Sequence, residues 1–271
     1  MHVMSSTSVW GERSMIFYFT ATGNSLYAAR QIGGELVSIA HELNKTDRHY
    51  QADSIGIVCP LYEFDLPRVV REFIEGSTFD TDYFFIVTTY GMHHGGIAER
   101  VSARLESNGR RVDYFNTVIM VDNAAQIFDM AEQIRIDPEK HVDEQLAAVH
   151  ADIESHKHYI QPAAKEEVDF YEGYMKNPFN LRPTNDNPFY RVTDECIGCG
   201  TCSRVCPMGC ISIEDKRPVY DFTSCAGCFA CIHACPKKAI QYATFDEPNP
   251  NARYRNPHVT IADLVKANNQ N

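Results

Sequence analysis

The chain has 271 residues, 44% of them apolar and 23% charged. That composition excludes wholesale disorder and leaves room for one large domain or two modest ones. A formal charge of −11 argues against nucleic acid as a default partner, and no apolar run approaches the roughly 20 residues of a membrane-spanning helix.

Residues 1–14 read as an extension. No cationic start is followed by an apolar stretch and a small-residue cleavage site, so they are not a secretory signal. The expectation is a cytoplasmic chain with reduced thiols, where clustered cysteines serve metal rather than disulfides. From Met15 strand and helix signals alternate. Met15–Phe19 predicts a first strand, Thr20–Ser25 a polar turn, and an Ala- and Leu-rich stretch a helix to about Ile32. Leu36–Ile39 and Ser54–Cys59 predict two more strands, with Pro67 opening a helix over Arg68–Glu75. Tyr83–Thr89 predicts a fourth strand, a helix follows Gly91–Gly96 to about Ser107, and Val112–Val121 predicts a fifth strand. Strands without a polar face, alternating with helices, imply a parallel sheet covered on both sides.

Residues 124–160 predict two helical pieces. Ile127, Met130, Ala131 and Ile134 share one face; Val142, Leu146, Val149 and Ile153 share another. Between them, Asp137-Pro138 is expected as N-cap and first helical residue. Residues 161–190 read as a linker whose aromatics, Phe170, Tyr171, Tyr174, Phe179, Phe189 and Tyr190, should dock rather than face solvent. Residues 191–240 form a Cys-rich unit, and 241–271 a tail with a short helix at Ile261–Ala267.

Of ten cysteines, nine lie between Cys196 and Cys235. Cys196, Cys199, Cys202 and Cys206-Pro207 form one run; Cys225, Cys228, Cys231 and Cys235-Pro236 form another, 29 residues on. Both read C-x2-C-x2-C-x3-C-P, an internal duplication. Three thiolates at this spacing wrap one face of a cubane cluster, and the fourth ligates the other cluster. The spacing therefore assigns Cys196, Cys199, Cys202 and Cys235 to one [4Fe–4S] cluster, and Cys225, Cys228, Cys231 and Cys206 to a second. Gly198, Gly200, Ala226, Gly227 and Ala230 allow backbone N–H groups close to the sulfurs. Zinc takes four ligands in two pairs and has no use for this ladder twice over. The segment resembles bacterial two-cluster ferredoxins, which implies a small α+β domain. Cys210 and Cys59 read as buried packing residues, and His233 as a group that packs beside a cluster or tunes it.

Thr20-Ala21-Thr22-Gly23-Asn24-Ser25 brings hydroxyls, an amide and main-chain N–H groups to a helix N-terminus, an anion site suited to a phosphate monoester. It matches neither the dinucleotide nor the P-loop motif; ordinary helix capping is the alternative. Doubly wound sheets bind ligands at the carboxyl ends of their strands, and FMN sits at the switch point of the 2-1-3-4-5 order. The loops there supply Pro60, Leu61, Tyr62 and Phe64, then Thr89, Tyr90 for ring stacking, and Gly91, Gly95 and Gly96 for close backbone approach. Here the chain resembles flavodoxins from about Met15 to Ile160, which implies a five-stranded, doubly wound, FMN-binding domain. His93 and His94 read as a solvated loop pair.

The whole chain is similar to fused flavodoxin–ferredoxin proteins of anaerobic bacteria and archaea. Such relatives carry Met-Pro-x-Asn-Tyr after the fifth strand; Met120-Val121-Asp122-Asn123-Ala124 lacks the Pro and the Tyr. The resemblance implies electron transfer between two [4Fe–4S] clusters and a non-covalent FMN. The alternatives are an oxidoreductase that reduces a quinone or flavin, and an iron–sulfur carrier with an empty docking domain. No residue reads as a catalytic acid, base or nucleophile. Residues 191–240 carry a formal +1 and the remainder −12, an acidic exterior suited to basic redox partner proteins. A homo-oligomer stays open.

Overall fold

The computed structural model describes residues 13–178, 184–186, 188–244 and 246–270. Residues 1–12 of the expected extension, and Phe179, lie outside them. The alternating apolar runs build β1 (Ser14–Tyr18), α1 (Asn24–Ile32), β2 (Glu35–Ser38), α2 (Ile39–Glu42), β3 (His49–Gln51), β4 (Ser54–Pro60), α3 (Arg68–Glu75) and β5 (Thr78–Asp80). They continue through β6 (Tyr83–Tyr90), α4 (Ile97–Ser107), β7 (Tyr114–Ile119), α5 (Met130–Arg135), α6 (Val142–Glu154) and β8 (Tyr159–Ile160). One sheet runs β2-β1-β4-β6-β7-β8 with every neighbour parallel. Its first five strands follow the 2-1-3-4-5 order of flavodoxin-like folds.

The central strands β4 and β6 are buried along nearly their whole length, because helices cover both faces of a parallel sheet. On α3, Val69, Val70, Phe73 and Ile74 face the core. Phe73 joins Phe17, Tyr50 and Phe79 in an aromatic cluster with ring centroids 4.5 to 5.9 Å apart.

Several local expectations are corrected. The sheet has a sixth strand beyond the five expected; β8 is too short to show a pattern and is defined only by its pairing with β7. Pro67 caps α3 in an extended conformation rather than starting it. Asp137–Lys140 forms a 3-10 turn, and left-handed His141 precedes α6, so Asp137 does not cap that helix. The stretch read as a linker carries α7 (Lys165–Lys176). Its Phe170, Tyr171 and Tyr174 rings gather on Phe64 at 5.0 to 6.0 Å, and Arg100 lies over Tyr171.

The Cys-rich unit comprises β9 (Tyr190–Val192), α8 (Thr201–Arg204), β10 (Ile211–Glu214), β11 (Arg217–Tyr220), α9 (Ala230–Ala234) and β12 (Ile240–Tyr242), with α10 (Ile261–Asn268) in the tail. Antiparallel β9–β12 and β10–β11 pairs frame it. Val205, Cys228, Ala230 and Ala234 share a core with the parallel sheet, as do Val259, Leu264 and Ala267 of the tail. No described helix is long and apolar enough to cross a membrane.

Gly56 on β4 lies under Phe85; a Cβ there would come within 2.1 Å of the ring. Gly56→Ala is expected to cost about 1–3 kcal/mol by overpacking, read as a lower urea midpoint. Pairing it with Phe85→Leu should recover part of the loss.

Candidate functional site

The duplicated cysteine runs fold as a structural repeat. Gly198 and Gly227 occupy left-handed conformations at equivalent places, and so do Gly200 and Phe229, which cap α8 and α9. Each short helix thereby carries the third thiol of its run, Cys202 or Cys231, inward. The result is two chambers. One is lined by Cys196, Cys199, Cys202 and Cys235 together with Ile197, Ile213 and Ile240. The other is lined by Cys206, Cys225, Cys228 and Cys231 with Tyr190, Tyr220 and Phe229. Each chamber is thus lined by three thiols from one run and the Cys-Pro thiol from the other. Cys210 also lines the second chamber.

The donor set suits an iron–sulfur cubane. Main-chain N–H groups of Gly227 and Ala239 donate to the sulfurs of Cys225 and Cys235 at 3.4 and 3.3 Å, the kind of contact that stabilises cluster charge. Among the described residues, no three His, Cys, Asp or Glu side chains gather as a site for a single metal ion. Cys199 is exposed, and Cys196 and Cys235 half-buried, whereas Cys206, Cys228 and Cys231 are buried. The first chamber is therefore the outer one.

The inner chamber rests on the carboxyl ends of the parallel strands. Tyr62, from the loop after β4, neighbours Cys228 and Cys225; its buried hydroxyl meets no hydrogen-bond partner among the described residues, and burial pushes its pKa well up. His233 of α9 donates from Nε2 to the Asn123 carbonyl at 2.7 Å and accepts from the Tyr254 N–H at Nδ1. A carbonyl only accepts and an N–H only donates, so the ring is a neutral Nε2–H tautomer. Burial lowers its pKa to about 4.

The Thr20–Ser25 turn lies directly below. Gly23 precedes α1 at φ +104°, and a Cβ there would meet Val259 and Asn256 at 2.9 and 3.0 Å. Thr20, Thr22 and Ser25 are at most 2% exposed. Yet the main-chain N–H groups of Ala21 to Ser25 meet no acceptor among the described residues, and the Thr20 hydroxyl is buried without a partner. Buried donors are rarely left so. A row of them at a helix N-terminus fits a phosphate group.

Around this turn the chain closes on itself. Asn24 Nδ2 donates to the Val121 carbonyl, and its Oδ1 accepts from the Tyr254 hydroxyl at 2.6 Å and from Asn256 Nδ2 at 3.2 Å. Asn256 N–H donates to the Thr22 carbonyl, Asn123 Nδ2 to the Thr22 hydroxyl, and Asn268 Nδ2 to the Thr20 carbonyl. Ser25 and Thr89 hydroxyls meet at 2.9 Å, joining the first loop to the third. Tyr254, Asn256 and Asn268 carried no signal in a Pro- and Asn-rich tail.

The remaining loop residues divide. Leu61 N–H bonds to the Thr89 carbonyl, so Pro60, Leu61 and Tyr62 lie beside Thr89 and Tyr90. Gly91 faces Asp122, whose Cβ is 2.2 Å from where a side chain would start. Gly95 is covered by α7 and Gly96 by Ala163 ahead of it: the Glu167 carboxylate accepts from the N–H groups of His94 and Gly95, both at 2.8 Å, and lies 3.1 Å from His93 Nδ1. His93 stacks on Phe170 at 3.9 Å, and His94 is 7% exposed and touches Tyr90 edge-on. The expectation of a solvated histidine pair is thereby corrected.

Residues 195–239 match the family of 4Fe-4S dicluster domains. No curated protein matches the chain. Among solved structures, a Bacteroides eggerthii protein proposed as a flavoprotein is 17% identical, covering 53% of this chain and 98% of its own, with a TM-score of 0.35. A Bacteroides uniformis protein proposed as a flavoprotein is 18% identical over 40% of this chain and 91% of its own, TM-score 0.33. The NAD(P)H:quinone oxidoreductase of Methanothermobacter marburgensis is 12% identical over 54% of this chain and 97% of its own, TM-score 0.29. The chain thus joins a segment similar to 4Fe-4S dicluster domains to a parallel α/β unit whose strands follow the 2-1-3-4-5 order.

Burial of Glu167 opposes its ionisation, but hydrogen bonds from Gly95, His93 and His94 outweigh it, and the carboxyl stays below its ordinary range. A depressed carboxylate contributes stability above its unfolded pKa and loses it as pH falls through the folded value. Protection of the His94, Gly95 and α7 amides, measured as exchange relative to the intrinsic rate at each pH, is expected to fall as pH drops below the ordinary glutamate range. Glu167→Gln should show fast exchange already at neutral pH, with the pH dependence flattened.

Proposed function

We propose that the chain is an electron carrier, holding two [4Fe–4S] clusters in its thiol chambers and one FMN on the loops of its α/β unit. The clusters would supply one-electron steps and the flavin one- or two-electron steps. Cys196, Cys199, Cys202 and Cys235 would hold the outer cluster, and Cys206, Cys225, Cys228 and Cys231 the inner. Residues 15–160 would be the flavin unit and 191–240 the cluster unit.

The observation that carries the reading is the row of buried, unpartnered N–H groups over Ala21–Ser25, lying against the module that bears the inner chamber. Those donors and the Thr20 hydroxyl would bind the phosphate. Pro60, Leu61, Tyr62, Thr89, Tyr90 and Gly91 would orient the ring system. The half-exposed rim of the outer chamber supports an entry point for a partner's electrons, and the acidic surface a basic partner. Tail, α7 and cluster unit surround the loops, which favours a carrier over an enzyme open to a small acceptor.

Anaerobic protein is expected to contain about eight irons, matching sulfide, and one FMN per chain. Zinc in place of iron, or protein without flavin after reconstitution, overturns the reading. Turnover with a quinone far above reduction of a protein partner would mark the oxidoreductase instead. Thr20→Val removes a hydrogen bond to a charged group worth about 1.5–3 kcal/mol; equilibrium dialysis should show FMN bound about tenfold or more weakly, with iron content unchanged.

A further inference from the structure

Ten cysteines and eight ligand positions leave two thiols over. Cys59 sits in β4, in the sheet core. Cys210 lies elsewhere: its sulfur is 3.5 Å from that of Cys206, and both line the inner chamber with Cys225, Cys228 and Cys231. A tight turn brings it there. Gly209 N–H bonds back to the Cys206 carbonyl, and the Cys210 carbonyl accepts from Asp221, so the backbone on both sides of the thiol is anchored.

The internal repeat supplies a control within the molecule. Moving on by the repeat length of 29 residues, the counterpart of Cys210 is Ala239. Ala239 is fully buried beside Cys235, to whose sulfur it donates its N–H. Packing at this place is thus met by a methyl group. In the first repeat a sulfur stands there, more than 90% buried and facing a chamber already lined by four thiols.

From this geometry we infer that Cys210 is a reserve ligand of the inner cluster, positioned to bind the iron otherwise held by Cys206. The inference rests on the cluster assignment proposed above. In the exchange the Cys206–iron bond is lost, the Cys210 thiol passes its proton to the departing Cys206 thiolate 3.5 Å away, and the Cys210 sulfur bonds the same iron. No electron is transferred. The outer cluster has no such reserve, because Ala239 occupies the matching place.

The test is iron content and low-temperature EPR of anaerobically purified full-length variants, with circular dichroism as the check on folding. Wild type carrying about eight irons establishes the assignment on which the exchange depends; a lower count sinks that assignment and is read separately. Cys206→Ala is expected to keep about eight irons, and Cys206→Ala with Cys210→Ala to fall to about four. Cys206→Ala with Cys59→Ala should keep eight. A folded Cys206→Ala variant with four irons overturns the inference, as does a double variant at positions 206 and 210 that keeps eight. Should Cys206→Ala not fold, Cys206→Ser decides: its reduced inner cluster is expected to show an all-thiolate EPR signal that Cys210→Ala abolishes. A signal unmoved by Cys210→Ala overturns the inference equally.

Discussion

The architecture depends on one buried amide. Asn24 stands at the start of α1, 9% exposed, with its nitrogen committed to Val121 and its oxygen shared by Tyr254 and Asn256. These partners come from the loop after β7 and from the tail, 97 to 232 residues away in the chain. A buried amide with both ends satisfied specifies one arrangement, because any other leaves polar atoms dry at about 1–3 kcal/mol each. His233 extends the network into the cluster unit through Asn123 and Tyr254. The carboxyl edge of the sheet, the tail and α9 are thereby fixed against one another, and the relation of the inner chamber to the Thr20–Ser25 turn follows.

That relation matters electrostatically. The inner chamber is walled by aromatic and apolar side chains, and its thiols are mostly buried; the outer has an exposed thiol at its rim. Solvent exposure and N–H···S bonds both set cluster potentials, so near-identical cysteine runs acquire different surroundings from one docking event. On the far side of the loops, α7 packs Phe170, Tyr171 and Tyr174 on Phe64 and seats Glu167 on the start of α4.

Much was legible before any coordinates. The central strands β1, β4, β6 and β7 announced themselves by apolar runs, since a strand buried on both faces has no choice of residue type. The thiol ladder carried its own geometry, and the crossing of Cys206 and Cys235 between chambers follows from a spacing too short for either to turn back. The polar turn was visible as hydroxyls and glycine at a strand-to-helix junction. Less legible were elements whose signal is a partner rather than a pattern. β8 has two residues, β3 and β5 three each, and α7 buries no residue fully, so none shows a periodicity.

Local chemistry, then, decided the sheet order's ingredients, the two sets of four thiols and the polar Thr20–Ser25 turn, because each is encoded within a few neighbouring residues. Tertiary structure alone decided that Tyr254, Asn256 and Asn268 close over that turn, that Glu167 covers Gly95, that the histidine pair is tied down rather than solvated, and that Cys210 faces a chamber. These are contacts between segments scores of residues apart, and a side chain gives no sign in sequence of which distant polar atom it must satisfy once water is gone.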